Sequence, residues 1–296
     1  MAIQIDWRPA SQQLHQLYGD LTGYHEDWPR PNLDESAPSN DAVDGAVEQW
    51  TQRLRATYVT MAEASALHAD LVAVGAPLDV LTGASYAGDE LNHHLAGLVH
   101  LIESFDVEPE LTVPDETIAM ATRPPSWEKI MARTLELFAF NLAISRPIYE
   151  ALGVTASDAA IAERCQVLGA SIGELIQFGQ LALEWMGSTL PQQKMELMRA
   201  RLPRLMTAYE SLCGGSPQLL DELAGEEVAI ESSADNLGVL DDRERAVIFY
   251  DTLMSSIFPT LDTLGIDGTG MWQRRPRELE EVQRPLAAVA GVGFRF

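Results

Sequence analysis

The sequence predicts an all-α protein: a four-helix bundle with one long crossover, plus additional C-terminal helices. Three observations predict it. Apolar residues recur at three- and four-residue spacing over long stretches. Proline clusters fall between those stretches and punctuate them. No segment alternates apolar and polar residues with a period of two for long enough to claim a sheet.

The elements follow in chain order. Residues 1–42 read as a wrapping segment, with a short helix around Ser11 to Tyr18 and a proline- and asparagine-rich loop from Asp27 to Asp41. Its aromatic residues Trp7, Tyr18, Tyr24 and Trp28 predict that it packs against the rest of the chain. Residues 43–190 read as the bundle. Val43 to Val74 contains no proline and carries Val47, Leu54, Tyr58, Met61 and Leu67 at helical spacing. Gly75-Ala76-Pro77 breaks the pattern, and Leu78 to Phe105 gives the second helix. Glu108 to Ser126 holds four prolines and predicts the crossover. Trp127 to Leu152 is the third helix, with Pro147 expected to kink it or to sit near its end, and Ser157 to Met186 is the fourth. Residues 191–296 read as a helical extension packed on the bundle, covering Gln192 to Leu212, Pro217 to Leu223 and Asp241 to Leu264.

Composition narrows the function classes. The chain has 296 residues, 44 of them acidic and 20 basic, for a formal net charge of −24. So negative a surface repels the phosphates of nucleic acid and an anionic membrane surface alike, so neither partner is expected. Two cysteines, Cys165 and Cys213, are too few for a disulfide framework or a cysteine-ligated zinc site. The N-terminal residues lack a basic region followed by an apolar one, and no run is long and apolar enough to span a membrane. The expected address is the cytoplasm. The basic clusters Arg199–Arg204 and Gln273–Arg277 are expected to pair with local acids or at a subunit contact, which leaves room for a homodimer.

The chemistry concentrates on the first two long helices. Four of the six histidines, His68, His93, His94 and His100, lie there. Glu90 and His93 form a Glu-x-x-His pair, which places both side chains on one helix face within reach of a single ion. His94 lies just to the other side of Glu90. Glu63 shares a stripe with Ala56, Val59, Thr60 and Leu67, so two neighbouring helices each aim a carboxylate at the interior. A buried carboxylate is costly unless it is paired, protonated or bound to metal.

Ala62–His94 (AEASALHADLVAVGAPLDVLTGASYAGDELNHH) resembles the first half of the ferritin-like superfamily. It is similar in particular to bacterial ferritin-like-domain proteins, in which Glu-x-Ser runs through Gly-Ala-Pro to Asp-Glu-x-x-His. Gln177–Met186 resembles the end of that family's fourth helix, and Ile257–Arg275 its C-terminal region. The resemblance implies a metal site of one Glu from the first helix and a Glu-x-x-His from the second, which Glu63, Glu90 and His93 match. His94 and His68 are further candidate ligands. The second half of the family's dinuclear site has no match, because Asn141, Ile172 and Leu175 stand at those positions.

The expected function is therefore an enzyme acting on a small organic substrate inside the bundle. One iron or manganese ion on Glu63, Glu90 and His93 would support oxidative chemistry. Asn141, Ile172, Leu175 and Tyr86 would line the adjoining pocket. Two alternatives stay open: a metal-free protein using the same pocket for acid–base chemistry or small-molecule binding, and a non-catalytic structural protein. Bulk iron storage is disfavoured because it relies on paired iron sites.

Overall fold

No residue between Val43 and Val74 stops a helix, and α1 (Asn40–Ala73) runs the whole length. Ser39 caps it by accepting a hydrogen bond from the Ala42 N–H. The computed structural model describes residues 2–5, 7, 10–14, 16–17, 28–32, 38–114, 124–189, 192–223 and 235–276. Within these the protein is mostly helical. Gly75 ends α1 in the left-handed region at φ 70°, and Pro77 opens α2 (Leu78–Glu103). So short a link makes α1 and α2 antiparallel neighbours, packed along their length.

The third long helix is continuous but changes pitch. It runs as α3 (Trp127–Thr134), a π-helical segment π1 (Leu135–Leu142) and α4 (Ala143–Thr155). Pro147 sits inside α4 without ending it. All eight residues of π1 are buried, because α1, α5 (Ala159–Thr189) and a second π segment, π2 (Leu253–Ile257), surround it. After Asp158 caps its first turn, α5 folds back along α4. α1 also packs on α3 and π1, and α2 on α5, so the two hairpins face each other across a core that includes Leu54, Leu67, Leu91, Leu98, Phe138 and Leu168. Among the described residues no helix is long and apolar enough to cross a membrane.

The C-terminal part adds α6 (Gln192–Leu212), α7 (Pro217–Leu223), α8 (Asp242–Thr252), π2, α9 (Phe258–Thr263) and α10 (Gly268–Gln273). α6 packs on α3 and α8 on α4. The segment before α8 is stitched to α1: Trp50 Nε1 donates to Leu237 O at 2.9 Å and Gln49 Nε2 to Leu240 O at 3.0 Å.

Two sequence expectations change, and the N-terminal one agrees where it is described. A two-stranded antiparallel ribbon joins β1 (Ala2–Ile5) to β2 (Leu111–Pro114), inside the expected crossover. Strands of four residues are too short to register as a period of two. The third helix contains a π segment before Pro147, where an α-helix kinked by Pro147 or ending near it was expected. Of the N-terminal segment, Gln12–Leu14 and Gln16–Leu17 are helical, while Tyr18 and Tyr24 lie outside the described residues. Trp7 packs edge-on against Tyr58, and Trp28 lies under the Arg164 guanidinium.

Candidate functional site

Two turns of α1 separate Glu63 from Asp70, which puts both carboxylates on one face. Arg133 of α3 enters between them. Its Nε lies 2.8 Å from Glu63 Oε2 and its Nη1 2.6 Å from Asp70 Oδ2. Glu63 is only 4% exposed, and burial raises its pKa despite the opposing pull of Arg133. Glu136, the second residue of π1, is buried nearby, and its charge and that of Glu63 both reach the enclosed Tyr209 hydroxyl.

A second cluster lies at the seam of α2 and α5. His94 Nε2 is 2.5 Å from Ser171 Oγ and 3.6 Å from Glu90 Oε1. On the other side, His93 Nδ1 is 3.6 Å from Glu90 Oε2. The His94 ring, then the Ser171 hydroxyl and His93, hold the Glu90 carboxyl down to about 2 against the cost of its partial burial. In a nucleophilic triad the acid addresses the ring nitrogen opposite the hydroxyl. Here Glu90 and Ser171 meet the same nitrogen, so the cluster can share and pass a proton but is not arranged to activate Ser171.

The third feature is an interior pocket of about 30 Å³ between α1, α2, π1, α4 and α5. Arg53, Thr57, Thr60, His94, Asn141, Ser145 and Tyr149 border it alongside Ala56, Leu91, Leu142, Ile148 and Ile172, and the surface it exposes is more apolar than polar. Asn141 Nδ2 donates to Thr60 Oγ1 at 2.8 Å, fixing the amide across α1 and π1. His94 belongs both to this pocket and to the seam cluster, and so links the two.

The structure thus brings Glu90, His93 and His94 together but sends Glu63 to Arg133. Glu63, Glu90 and His93 do not form a joint ligand set, because a guanidinium already neutralises Glu63 and would repel a cation placed beside it. Among the described residues no group of three or more His, Cys, Asp and Glu side chains is fit to hold a metal ion. The iron or manganese site implied by the resemblance therefore does not fit the residues present. His68 is no alternative ligand here: it borders a shallow surface cleft with Leu78, Leu81 and Asp89.

Of the expected pocket lining, Asn141 and Ile172 border the interior pocket. Leu175 is buried in the apolar core away from it. Tyr86 is a correction: it is 44% exposed and its hydroxyl bonds Glu174 at 3.3 Å, because the buried face of α2 runs through Ala84, Ala87, Leu91 and His94. Arg53, Arg133 and Ser171 were not singled out from sequence. Arg53 had a usable signal, since it continues the stripe of Ala56, Thr60 and Glu63 by one turn. Comparison with known families, curated proteins and solved structures finds no match.

Proposed function

We propose that the chain is a ferritin-like helical protein that works without metal and binds a small molecule in its interior pocket, with His94 as the proton-exchanging group. The observation that carries this reading is the ring of polar side chains around the pocket. A protein core retains polar groups about a void only when something polar fills the space or when they satisfy one another. Asn141 bonds Thr60, Ser145 the Asn141 carbonyl, Tyr149 Thr57 and His94 Ser171, and the hydroxyls keep further hydrogen-bonding capacity toward the space. Water is the minimal occupant, and about 10–15 Å³ suffices for one molecule. The volume therefore favours a ligand of very few non-hydrogen atoms over a drug-sized substrate.

Two features support the metal-free part. Arg133 supplies the positive charge that buried Glu63 and Asp70 need, a role a metal would otherwise take. Glu90, in turn, has His93 and His94 at 3.6 Å as neighbours. His94 touches both the pocket and the Glu90–Ser171 pair, which gives a proton entering the pocket a path to a partly buried carboxylate.

The test combines metal content with stability. The purified protein should hold substoichiometric iron, manganese and zinc, and a chelator should leave its unfolding midpoint unchanged. One equivalent of metal, lost in Glu63→Ala, would overturn the proposal and restore a mononuclear centre. Ile172→Phe should fill the pocket and abolish binding of any small molecule found to stabilise the wild type.

A further inference from the structure

The outward face of α2 is apolar where a solvent-facing helix is normally charged. Leu78, Leu81, Thr82, Ser85, Tyr86 and Asp89 follow one another at three- and four-residue spacing, opposite the buried stripe of Val80, Ala84, Ala87 and Leu91. Together with His68 of α1 they border a shallow cleft of about 550 Å³. Leu78 is 79% exposed. Exposed apolar residues flank it on both neighbouring helices. Val72 lies one turn beyond His68 on α1 and is 54% exposed. Leu181, 59% exposed, lies two turns beyond Glu174 on the same face of α5, and Glu174 itself meets Tyr86. α2 runs antiparallel to both helices, since a short link joins it to α1, His94 meets Ser171 and Gly83 faces Phe178. Val72 and Leu181 therefore both lie toward the Leu78 end. Exposed apolar side chains scattered singly need no explanation, whereas a run of them across three helices marks an interaction surface.

The charge around this surface has one sign. Asp79, Asp89, Glu174 and Glu184 are exposed. The chain has no Lys or Arg from Ala56 to Thr122 or from Cys165 to Gln193, the stretches that supply α2, the later part of α1 and most of α5. Arg164, near the start of α5, is fully buried, and Arg146 of α4, which reaches α5 at Gly173, is held by Glu150. A partner for such a surface must bring apolar groups and positive charge together. A second copy of this chain would set the same acidic rim against itself, and an anionic membrane would be repelled in the same way.

We propose that the α2 face docks an amphipathic helix of a partner protein. That helix lays apolar residues, spaced i, i+3 or i+4, and i+7, over Leu78, Leu81 and Tyr86, and carries Lys or Arg beside the stripe to meet Asp79, Asp89 and Glu174. The site lies on the outside of the bundle, so it stands or falls separately from the interior pocket.

The experiment titrates a fluorescently labelled helical peptide of Leu and Lys, with Leu on one face, with the full-length protein and follows anisotropy. Two controls share its length: a Leu–Glu peptide of the same pattern, and a Leu–Lys peptide shuffled so that no apolar face forms. The patterned Leu–Lys peptide should bind, more weakly as salt rises, and neither control should match it. Leu78→Ser combined with Tyr86→Ser changes no charge and should weaken binding about tenfold or more. Both side chains are exposed, so the double variant should melt close to the wild type. Equal binding of the shuffled peptide, or binding that survives the double substitution, would show an acidic chain merely collecting cations and would overturn the inference. Absence of binding by any of the peptides would overturn it as well. A dimer in sedimentation that dissociates in the double variant would give the face to a second copy and overturn the partner proposed.

Discussion

Arg133 shows how one side chain decides the chemistry around it. Its guanidinium bridges two carboxylates on the same face of α1, so its removal takes a shared counter-charge from buried Glu63 and Asp70. Breaking a buried pair from one side costs about 3–5 kcal/mol, and Arg133→Met should lose that much in urea unfolding. If Arg133→Met proved as stable as the wild type, the two carboxylates would not depend on it. Glu90 makes a different residue-scale prediction. Its carboxyl is held at about 2 in the folded protein, below the ordinary 4.5. A depressed pKa stabilises the fold above the unfolded value, and that stability drains away as pH falls through the folded value. Glu90→Gln should therefore cost about 1–2 kcal/mol near neutrality, after allowance for solvent screening of a partly exposed group. The gap to the wild type should close between about pH 4.5 and 2, which a series of melts across that range would follow.

At the scale of elements, π1 explains both what the sequence disclosed and what it concealed. A 3.6-residue period located the long helices, because propensity, apolar spacing and the Gly75-Ala76-Pro77 break agreed with one another. The same period misjudged the third helix from Leu135 onward. In a helix that closes from i to i+5, residues five apart approach the same face. Glu136 and Asn141 are five apart, and both are buried. Nothing in the local sequence LELFAFNL announces the wider turn, because the cause is tertiary: neighbours on all sides bury all eight residues. Glu63 was read correctly as an interior carboxylate position from its stripe, but its partner lies on another helix, beyond the reach of periodicity. The close packing of π1 is testable. A Cβ on Gly179 of α5 would sit 2.1 Å from the Phe138 Cβ, an atom fixed to the π1 backbone. For a Cβ on Gly83 of α2 the nearest atoms belong to the ring of Phe178, with Cε2 at 2.1 Å, and a ring can swing aside. Gly179→Ala should therefore destabilise by about 1–3 kcal/mol and Gly83→Ala by less. The reverse order in chemical denaturation would contradict the fixed position of π1 against α5.

For the whole molecule, the ribbon of β1 and β2 has a consequence for how the protein opens. Ile5 lies opposite Leu111, so the pairing closes a loop that contains both α1 and α2. Among the described residues the entropy of closing so long a loop is repaid by a strand pair of four residues, by Ile5, Leu111 and Val113 against the core and by Trp7 against Tyr58. Two short strands are marginal by themselves. The ribbon should therefore detach in a local fluctuation while the helices stay folded, which makes it a separate unit of low stability. In native-state hydrogen exchange, the paired amides of β1 and β2 should exchange by a route insensitive to low denaturant, well before those in the middle of α1 and α5. If they exchanged only with global unfolding, the strand pair would be part of the cooperative core. Otherwise, each opening frees the first strand from the crossover while the helices that border the pocket stay packed on one another.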